Sequence, residues 1–304
     1  MFELNKNISF LDALAKRILI GDGAMGTMLQ SMGIEVAPDQ LNIDRQNIDK
    51  VIEIHQGYLE AGSDIIQTNT FGSNPVKLKS YGLQQDLEEI NKNAAASVKE
   101  AIARYRSKTG NSRRVFIAAD IGPLGQLLEP SGTISKQQAT DYFSQQIEVL
   151  AREGADIILI ETVMDINEAF AAIEAARQVA ADLPILCTLT FGKNGVTMMG
   201  NKAEDAVKQL QEAGVSVVGA NCSLGSVSML DVVRKMRESD KDAKLIFQPN
   251  AGLPVLKDGQ TIYNESAAEM AENISKYLQY SPSIIGACCG STPQHIREII
   301  KAVS

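Results

Sequence analysis

Glu60-Ala61-Gly62-Ser63-Asp64-Ile65-Ile66 carries a pattern that returns twice more along this chain of 304 residues. The second copy is Glu153-Gly154-Ala155-Asp156-Ile157-Ile158, and the third is Glu212-Ala213-Gly214-Val215-Ser216-Val217-Val218. Each copy has the residues of a helix end, a capping glycine and a buried strand. A unit that repeats in this way indicates a fold built from successive strand–helix modules.

Eight short apolar runs alternate with helical patterns along the chain. Such alternation predicts parallel βαβ units, and eight strands that are each followed by a helix predict a single (β/α)8 TIM barrel of the α/β class. The predicted strands are residues 18–21, 64–68, 115–121, 157–160, 185–190, 215–220, 245–248 and 283–287. We expect one barrel domain over residues 1–304, with residues 1–16 as a helical cap of the barrel, because residues 9–16 have the pattern of a capped short helix.

The composition excludes several classes of function. Hydrophobic residues make up 44% of the chain and charged residues 22%, which is typical of a globular protein with a full core. A net charge of −8 argues against binding to nucleic acid or to a membrane surface. No apolar run approaches the roughly 20 residues of a membrane span, and the first residues lack a signal-peptide pattern. We therefore expect a cytoplasmic protein whose partners are small molecules or proteins.

Three of the four cysteines lie in two short pieces, Ala220-Asn221-Cys222-Ser223 and Gly286-Ala287-Cys288-Cys289-Gly290. A disulfide between Cys288 and Cys289 is disfavoured, because neighbouring Cα atoms lie about 3.8 Å apart and disulfides span roughly 4.4–6.8 Å. Three thiolates around Zn²⁺ need no such strain, since Zn–S bonds of about 2.3 Å place the sulfurs about 3.8 Å apart. Buried, inert cysteines that lie together by coincidence are the alternative.

The predicted barrel would allow these cysteines to meet. Cys222 follows the sixth strand and the cysteine pair follows the eighth, so about 10 Å of sheet separates them, which inward-pointing side chains can bridge. Cys288 and Cys289 can reach one ion only beyond the end of their strand, where Gly290 gives the backbone freedom. Cys187 lies inside the fifth strand, and we expect it to be a core residue.

Polar residues recur at the carboxyl ends of the predicted strands, where TIM barrels keep their active sites. Seven residues after the glycine of each repeat come Asn69, Glu161 and Asn221. Burying an unpaired charge is costly, so Glu161 should face a positive partner or an open pocket. Asp22, after the first strand, could join Glu161 in gripping a substrate amino group. A turn or cap role for Asp22 and a structural role for Glu161 are the alternatives.

Other motifs favour less specific interpretations. Gly21-Asp22-Gly23-Ala24-Met25-Gly26 matches G-x-G-x-x-G, but its acidic residue would repel phosphate and no βαβ unit of about 30 residues follows. The absence of lysine from all eight strands argues against Schiff-base chemistry. We expect His55 to be exposed or to pack in the first barrel helix, and His295 to cap or pack in the last. Neither has the i, i+4 spacing of a zinc motif.

Six pieces of the sequence, in this order, resemble the homocysteine S-methyltransferase family, and most closely the homocysteine-binding barrel of its cobalamin-dependent members. They are residues 21–29, 68–71, 160–162, 220–225, 249–254 and 286–296. The resemblance implies a TIM barrel that binds Zn²⁺ through Cys222, Cys288 and Cys289. It also implies that homocysteine supplies the fourth zinc ligand and that its sulfur then accepts a methyl group to give methionine. The substrate-binding residues that it implies are Asp22, Gly23 and Glu161, with the two acids at the amino group.

The methyl donor is predicted less directly. Family members use methylcobalamin, betaine or S-methylmethionine, and the long motifs favour the cobalamin type. Glu53-Ile54-His55-Gln56-Gly57 departs from the cobalamin signature Asp-x-His-x-x-Gly, and the chain has no room for folate, cobalamin or reactivation domains. We therefore predict that methylcobalamin arrives on a separate corrinoid protein, or that the chain is a fragment of, or stand-alone counterpart to, a larger enzyme.

Three alternatives to this function stay open on the sequence. One is a homocysteine methyltransferase that uses betaine or S-methylmethionine as its donor. Another is a zinc-bearing barrel that docks on a corrinoid protein and handles methyl groups without homocysteine. The third is a barrel enzyme without a metal.

Overall fold

Eight parallel strands form the centre of the molecule in this computed structural model, which describes residues 7–44, 46–257 and 260–304. They are β1 (Leu19–Ile20), β2 (Ile65–Gln67), β3 (Phe116–Ile121), β4 (Ile157–Val163), β5 (Ile185–Leu189), β6 (Val217–Gly225), β7 (Leu245–Asn250) and β10 (Ile284–Ile285). An antiparallel hairpin of β8 (Val255–Lys257) and β9 (Gln260–Ile262) lies between β7 and β10 in the chain. All eight predicted strands are present, and the predicted TIM barrel is confirmed.

Helices precede the barrel and follow its strands. They are α1 (Phe10–Leu14), α2 (Gly26–Ser31), α3 (Ile48–Ala61), α4 (Pro75–Ser80), α5 (Leu87–Thr109), α6 (Lys136–Arg152), α7 (Ile166–Val179), α8 (Ala203–Glu212), α9 (Ser226–Ser239), α10 (Ala267–Ser275) and α11 (Pro293–Val303). Short 3₁₀ helices span Pro38–Asn42, Gln84–Asp86 and Leu278–Tyr280. Among the described residues, no helix has both the length and the apolar character needed to cross a membrane.

Side chains contribute to closing the barrel between β1 and β2. The strands are arranged in the order β1-β10-β7-β6-β5-β4-β3-β2, with parallel pairing throughout. Across the remaining gap, the Asp64 N–H donates to the Ile20 carbonyl at 2.7 Å, and the Ile20 N–H donates to the Asp64 carboxylate at 2.9 Å. Higher up, the Gln67 N–H donates to Asp22 Oδ2 at 2.9 Å. We call these contacts the β1–β2 seam.

Two arginines neutralise Asp64 at the lower end of the seam. Arg17 donates from both terminal nitrogens to the carboxylate, at 2.7 and 2.8 Å, and Arg113 donates to it at 3.3 Å. Bidentate arginine–carboxylate pairs are among the stronger hydrogen-bonded contacts in proteins. The arginines therefore hold the buried charge at the position where β1 meets β2.

The floor of the barrel is filled by apolar side chains. Inward-facing residues of the strands, including Leu19, Ile65 and Phe116, form a cluster with the apolar face of α1. The Phe10 ring of α1 meets the Phe116 ring edge to face, with centroids 5.3 Å apart. The expected cap segment thus contributes α1 to this cluster, while its residues 1–6 lie outside the described residues. Because apolar side chains fill this end of the barrel, a ligand would enter the barrel from the carboxyl ends of the strands.

His55 is buried in α3, with only 1% of its surface exposed. The possibility that it is exposed was therefore wrong, and its packing role is confirmed. Neither ring nitrogen has a hydrogen-bond partner among the described residues. Burial disfavours the charged imidazolium and lowers the pKa of His55 to about 3.

His55 should therefore make the fold less stable in acid. Its folded pKa lies below the unfolded value of about 6.5, so its contribution is present above pH 6.5 and is lost as the pH falls toward 3. Between pH 7 and pH 5, the free energy of unfolding should fall by about 2 kcal/mol more in the natural protein than in His55→Leu. Urea unfolding at both pH values measures this difference, and equal losses in the two proteins would contradict it.

Candidate active site

A cavity of about 470 Å³ opens at the carboxyl ends of the strands. Every residue that the sequence singled out for metal or substrate binding lines it: Asp22 and Gly23 after β1, Glu161 on β4, Cys222 on β6, and Cys288 and Cys289 after β10. Residues from separate parts of the chain therefore line one cavity.

The three cysteine sulfurs form a compact group. Their Sγ atoms all lie within 4.8 Å of one another. The Sγ atoms of Cys222 and Cys289 lie 3.9 Å apart, and those of Cys288 and Cys289 lie 4.0 Å apart. A tetrahedral zinc site with Zn–S bonds of about 2.3 Å has edges of about 3.8 Å. The donor set therefore fits Zn²⁺, and none of these cysteines is in a disulfide.

A bulge in β6 places Cys222 in the cavity wall. The pairing of β6 with β7 shifts register between Asn221 and Gly225. Cys222 and Ser223 adopt the left-handed conformation within this bulge, with φ of 55° and 62°. Such values cost roughly 1–2 kcal/mol per non-glycine residue, so the neighbouring strands must hold them in place. This bulge carries β6 beyond residue 220, where the sequence predicted that it would end.

Backbone hydrogen bonds fix the loop that carries Cys288 and Cys289. The Cys288 N–H donates to the Pro249 carbonyl at 2.8 Å, and the Ala251 N–H donates to the Cys289 carbonyl at 2.9 Å. Gly290 then turns the chain with φ of +80°, and a Cβ there would lie 2.2 Å from the Tyr263 ring. A glycine is needed at this position for both reasons.

The thiols compete for negative charge. Hydrogen bonds from Cys222 and Cys288 lower the pKa of Cys289 to about 3. Cys288, by contrast, is hydrogen-bonded to Cys222 and to Cys289, and these bonds, that to Cys222 most of all, raise its pKa well above the usual value. The group therefore favours one thiolate when no cation is bound. Only a cation could hold all three cysteines as thiolates, because coordination to a metal deprotonates a thiol.

Asp22 and Glu161 are buried acids whose charged forms are disfavoured. Burial raises the pKa of Asp22 well above its usual value, against the effect of the Gln67 N–H, and the charge of Glu161 raises it further. Burial and then the charge of Cys222 raise the pKa of Glu161 to about 8. A bound cation between the two carboxyl groups would offset this cost.

Asn221 positions Glu161. Its amide nitrogen donates to Glu161 Oε2 at 3.2 Å and to the Thr162 hydroxyl oxygen at 2.7 Å. Its carbonyl oxygen accepts from the Thr188 hydroxyl at 2.7 Å and from the Thr162 N–H at 2.8 Å. Asn221 therefore links the carboxylate on β4 to the cysteine that follows it on β6. Asn69, at the matching depth, instead donates to the Pro38 carbonyl at 2.7 Å within the loops.

Asp120 is a cavity residue that the sequence analysis missed. It lies near the end of β3, is 5% exposed, and lines the same cavity. Burial raises its pKa well above the usual value, and the charge of Glu161 adds to this effect. The signal was present, because Asp120 is an acid near the end of an apolar run, as Glu161 is. The Gly122-Pro123 pair that follows indicates a turn, however, and an aspartate beside a turn usually has a structural role.

Gly23 contributes backbone to the wall. A Cβ at this position would lie 2.5 Å from Ser291 Oγ and 2.9 Å from the Tyr58 ring, so no side chain fits there. The Tyr58 hydroxyl donates to the Ala24 carbonyl at 2.8 Å, which fixes the backbone beside Gly23. The β1 loop can therefore present main-chain groups directly to a ligand.

Two further sequence predictions concern residues away from the thiol group. Cys187 is fully buried in β5, where burial raises the pKa of its thiol to about 12. Its expected core position is confirmed. His295 completes a capping box with Thr292 at the start of α11, and its other ring nitrogen lies 3.0 Å from the Glu265 carbonyl oxygen. Its expected cap role is confirmed as well.

A family model described as homocysteine S-methyltransferase matches residues 19–303, which is nearly the whole chain. The chain belongs to this family. Methionine synthase of Mycobacterium leprae (strain TN) is 29% identical over 97% of the chain, and that of Mycobacterium tuberculosis (strain ATCC 25618 / H37Rv) is 30% identical over the same share. The chain spans 25% of the length of each of these relatives.

Solved structures support the fold of this homocysteine S-methyltransferase family member. The oxidized form of the homocysteine methyltransferase MmuM from Escherichia coli superposes with a TM-score of 0.81, at 20% identity, covering 98% of this chain and 99% of that one. The metallated form of the same enzyme gives a TM-score of 0.80 at 20% identity, covering 97% and 99%. At this level of identity the likeness shows a shared barrel.

Gly290→Ala should destabilise the protein more than the same change at another left-handed glycine. Gly33 has φ of +79° but open space around its Cβ position, whereas a Cβ at Gly290 would collide with Tyr263. We expect Gly33→Ala to cost about 1–2 kcal/mol from backbone strain alone, and Gly290→Ala to cost a further 1–3 kcal/mol from overpacking. Denaturant unfolding of both variants measures the difference, and equal losses would show that the loop yields freely.

Proposed function

We propose that this chain is the homocysteine-activating barrel of a methyltransferase of the methionine synthase type, with Zn²⁺ held by Cys222, Cys288 and Cys289. The observation that carries the proposal is the meeting of three thiols within 4.8 Å in a cavity also lined by Asp22 and Glu161. Membership of the homocysteine S-methyltransferase family supports the same chemistry. One group of side chains would take the sulfur of the substrate and the other its amino group.

The cysteines would give the metal site its character. Zn²⁺, when bound, lowers the pKa of an incoming thiol, which for a free alkyl thiol is about 8.5 and leaves it mostly protonated at neutral pH. Three cysteine thiolates would outweigh the charge of the ion and give the site a net charge of −1. That negative charge would keep the sulfur of a bound substrate rich in electrons and therefore nucleophilic.

The carboxyl groups would orient the substrate. Asp22 Oδ1 is buried with no hydrogen-bond partner in the part of the chain that the structure describes, and Asn221 donates to Glu161 in the same cavity. An ammonium group placed between them would lower the pKa of both carboxyl groups by favouring their charged forms. Gly23 would bring backbone close to the same end of the substrate, because it has no side chain in the way. The substrate sulfur is then left for the thiol side of the cavity.

We further propose that the methyl donor is methylcobalamin carried by a corrinoid-binding domain or protein, and that the enzyme is cytoplasmic. The sulfur–carbon bond would form as the cobalt–carbon bond breaks, with the electron pair of that bond remaining on the cobalt. The two methionine synthase relatives support this donor, because about three quarters of each lies outside the part that matches this chain. The donor would approach from the carboxyl ends of the strands, since the barrel floor is closed.

Cys222→Ala should release most of the bound zinc. Loss of one of three thiolates leaves two protein ligands, whereas Cys187→Ala makes the same substitution at a buried cysteine outside the group. We expect about one zinc ion per chain in the natural protein and in Cys187→Ala, and well under half that in Cys222→Ala after dialysis against a chelator. Metal content by atomic emission measures this. Full retention of zinc in Cys222→Ala would refute the site.

A methyl-donor screen tests the reaction itself. With zinc-loaded protein and homocysteine, methylcobalamin should yield methionine at least tenfold faster than betaine or S-methylmethionine at equal concentration. Methionine is measured by mass spectrometry, and Cys222→Ala serves as the inactive control. Equal or faster turnover with betaine or S-methylmethionine would overturn the donor assignment. Failure of every donor, together with no effect of homocysteine on the zinc site, would favour a barrel that handles methyl groups without homocysteine.

A further inference from the structure

Several buried oxygen atoms in the cavity wall have no hydrogen-bond partner among the described residues. They are Asp22 Oδ1, Asp120 Oδ1 and Gln248 Oε1, and their side chains are all at least nine-tenths buried. Buried acceptors without a donor are unfavourable, and native proteins leave few of them. The wall therefore has more acceptors than the protein satisfies, which points to a ligand that brings N–H donors.

Asp120 stands out because the fold fixes its backbone but leaves its carboxyl group unused. Its N–H donates to the Thr68 hydroxyl oxygen at 3.1 Å, and its carbonyl accepts from the Thr70 hydroxyl at 2.7 Å. These two bonds hold the end of β3 firmly against the loop after β2. The side chain meanwhile lines the cavity, and within the described ranges of the chain its Oδ1 accepts no hydrogen bond that would explain an acid here.

The protein supplies little positive charge at this place. Lys77 favours the charged forms of Asp120 and Glu161, but no salt bridge joins it to either of them in the described part of the chain. Its ammonium group instead lies 4.2 Å from the centroid of the Phe71 ring. Asp22, Asp120 and Glu161 therefore remain a set of mutually repelling acids. A cationic ligand group would complete the set.

We propose that Asp120 is the third acceptor for the ammonium group of the substrate, alongside Asp22 and Glu161, and thereby sets specificity for amino thiols. This inference rests on the proposed function. An ammonium group has three N–H donors, and the three acids, from β3, from the end of β1 and from β4, line the same cavity. Asp22 and Glu161 each already use one oxygen within the protein, on the Gln67 N–H and the Asn221 amide. Each therefore has one oxygen left for a ligand, and Asp120 Oδ1 supplies a third.

The test compares two thiols that differ only in the amino group. Homocysteine and 4-sulfanylbutanoate are titrated into zinc-loaded protein by calorimetry, and the dissociation constants are measured for the natural chain and for Asp120→Asn. We expect Asp120→Asn to weaken homocysteine binding roughly 10- to 100-fold, the usual effect of losing a charged hydrogen-bond partner. Binding of 4-sulfanylbutanoate should change by less than about twofold, since it has no amino group to lose a contact.

Asp39→Asn is a matched control for this substitution. Asp39 lines the same cavity and is also 5% exposed, but its Oδ1 already accepts from the Gly72 N–H and the Ser73 hydroxyl, both at 2.9 Å. The ratio of the two dissociation constants should therefore be unchanged in Asp39→Asn. If Asp120→Asn does not fold, Asp120→Ser, which is smaller, should show the same selective loss.

The outcomes separate this inference from the proposed function. Equal weakening of both thiols in Asp120→Asn, or no weakening of homocysteine, would overturn the role of Asp120 while leaving the zinc site intact. A natural chain that binds zinc but neither thiol would overturn the proposed function, and this inference with it. A selective loss of homocysteine binding in Asp120→Asn alone supports both.

Discussion

The mutual repulsion of buried acidic groups is the constraint on which this site depends. Four carboxyl groups and three thiols line one cavity, and no lysine, arginine or histidine is found among the described residues of its wall. Like charges that are buried close together disfavour one another, so these groups cannot all ionise at once. The cavity is therefore incomplete without cations. The thiol side suits a soft metal ion, and the carboxyl side suits an ammonium group.

The packing of the rest of the barrel offsets the unfavourable burial of these acidic groups. The floor is packed with apolar side chains, and the buried charge of Asp64 is fully compensated there by Arg17 and Arg113. At the opposite end, the cavity wall holds Asp22, Asp120 and Gln248, each with a buried oxygen that has no hydrogen-bond partner among the described residues. Folding stability is a small difference between large terms, so a site of this kind needs a well-packed scaffold beneath it. Stability and chemistry thus lie at opposite ends of the strands.

The strands and the cysteine group could be predicted because both depend on local patterns. The repeated glycine and apolar run mark three of the strands, and short apolar runs mark the others, without reference to the rest of the chain. The order of strands in a TIM barrel then places Cys222 near Cys288. The burial of His55 could not be predicted, since an amphipathic helix does not show which neighbours cover its edge. The bulge at Cys222 likewise depends on the register between β6 and β7. Asp120 was hidden because an acid beside a turn usually has a structural role.

The two carboxyl oxygens of Asp22 have different surroundings. Oδ2 accepts the Gln67 N–H across the β1–β2 seam, whereas Oδ1, in the cavity wall, has no hydrogen-bond partner among the residues that the structure describes. The same carboxyl group therefore serves the closure of the barrel and the wall of the cavity. A substitution at Asp22 would change both at once, so loss of activity in such a variant would not by itself separate a folding defect from a binding defect.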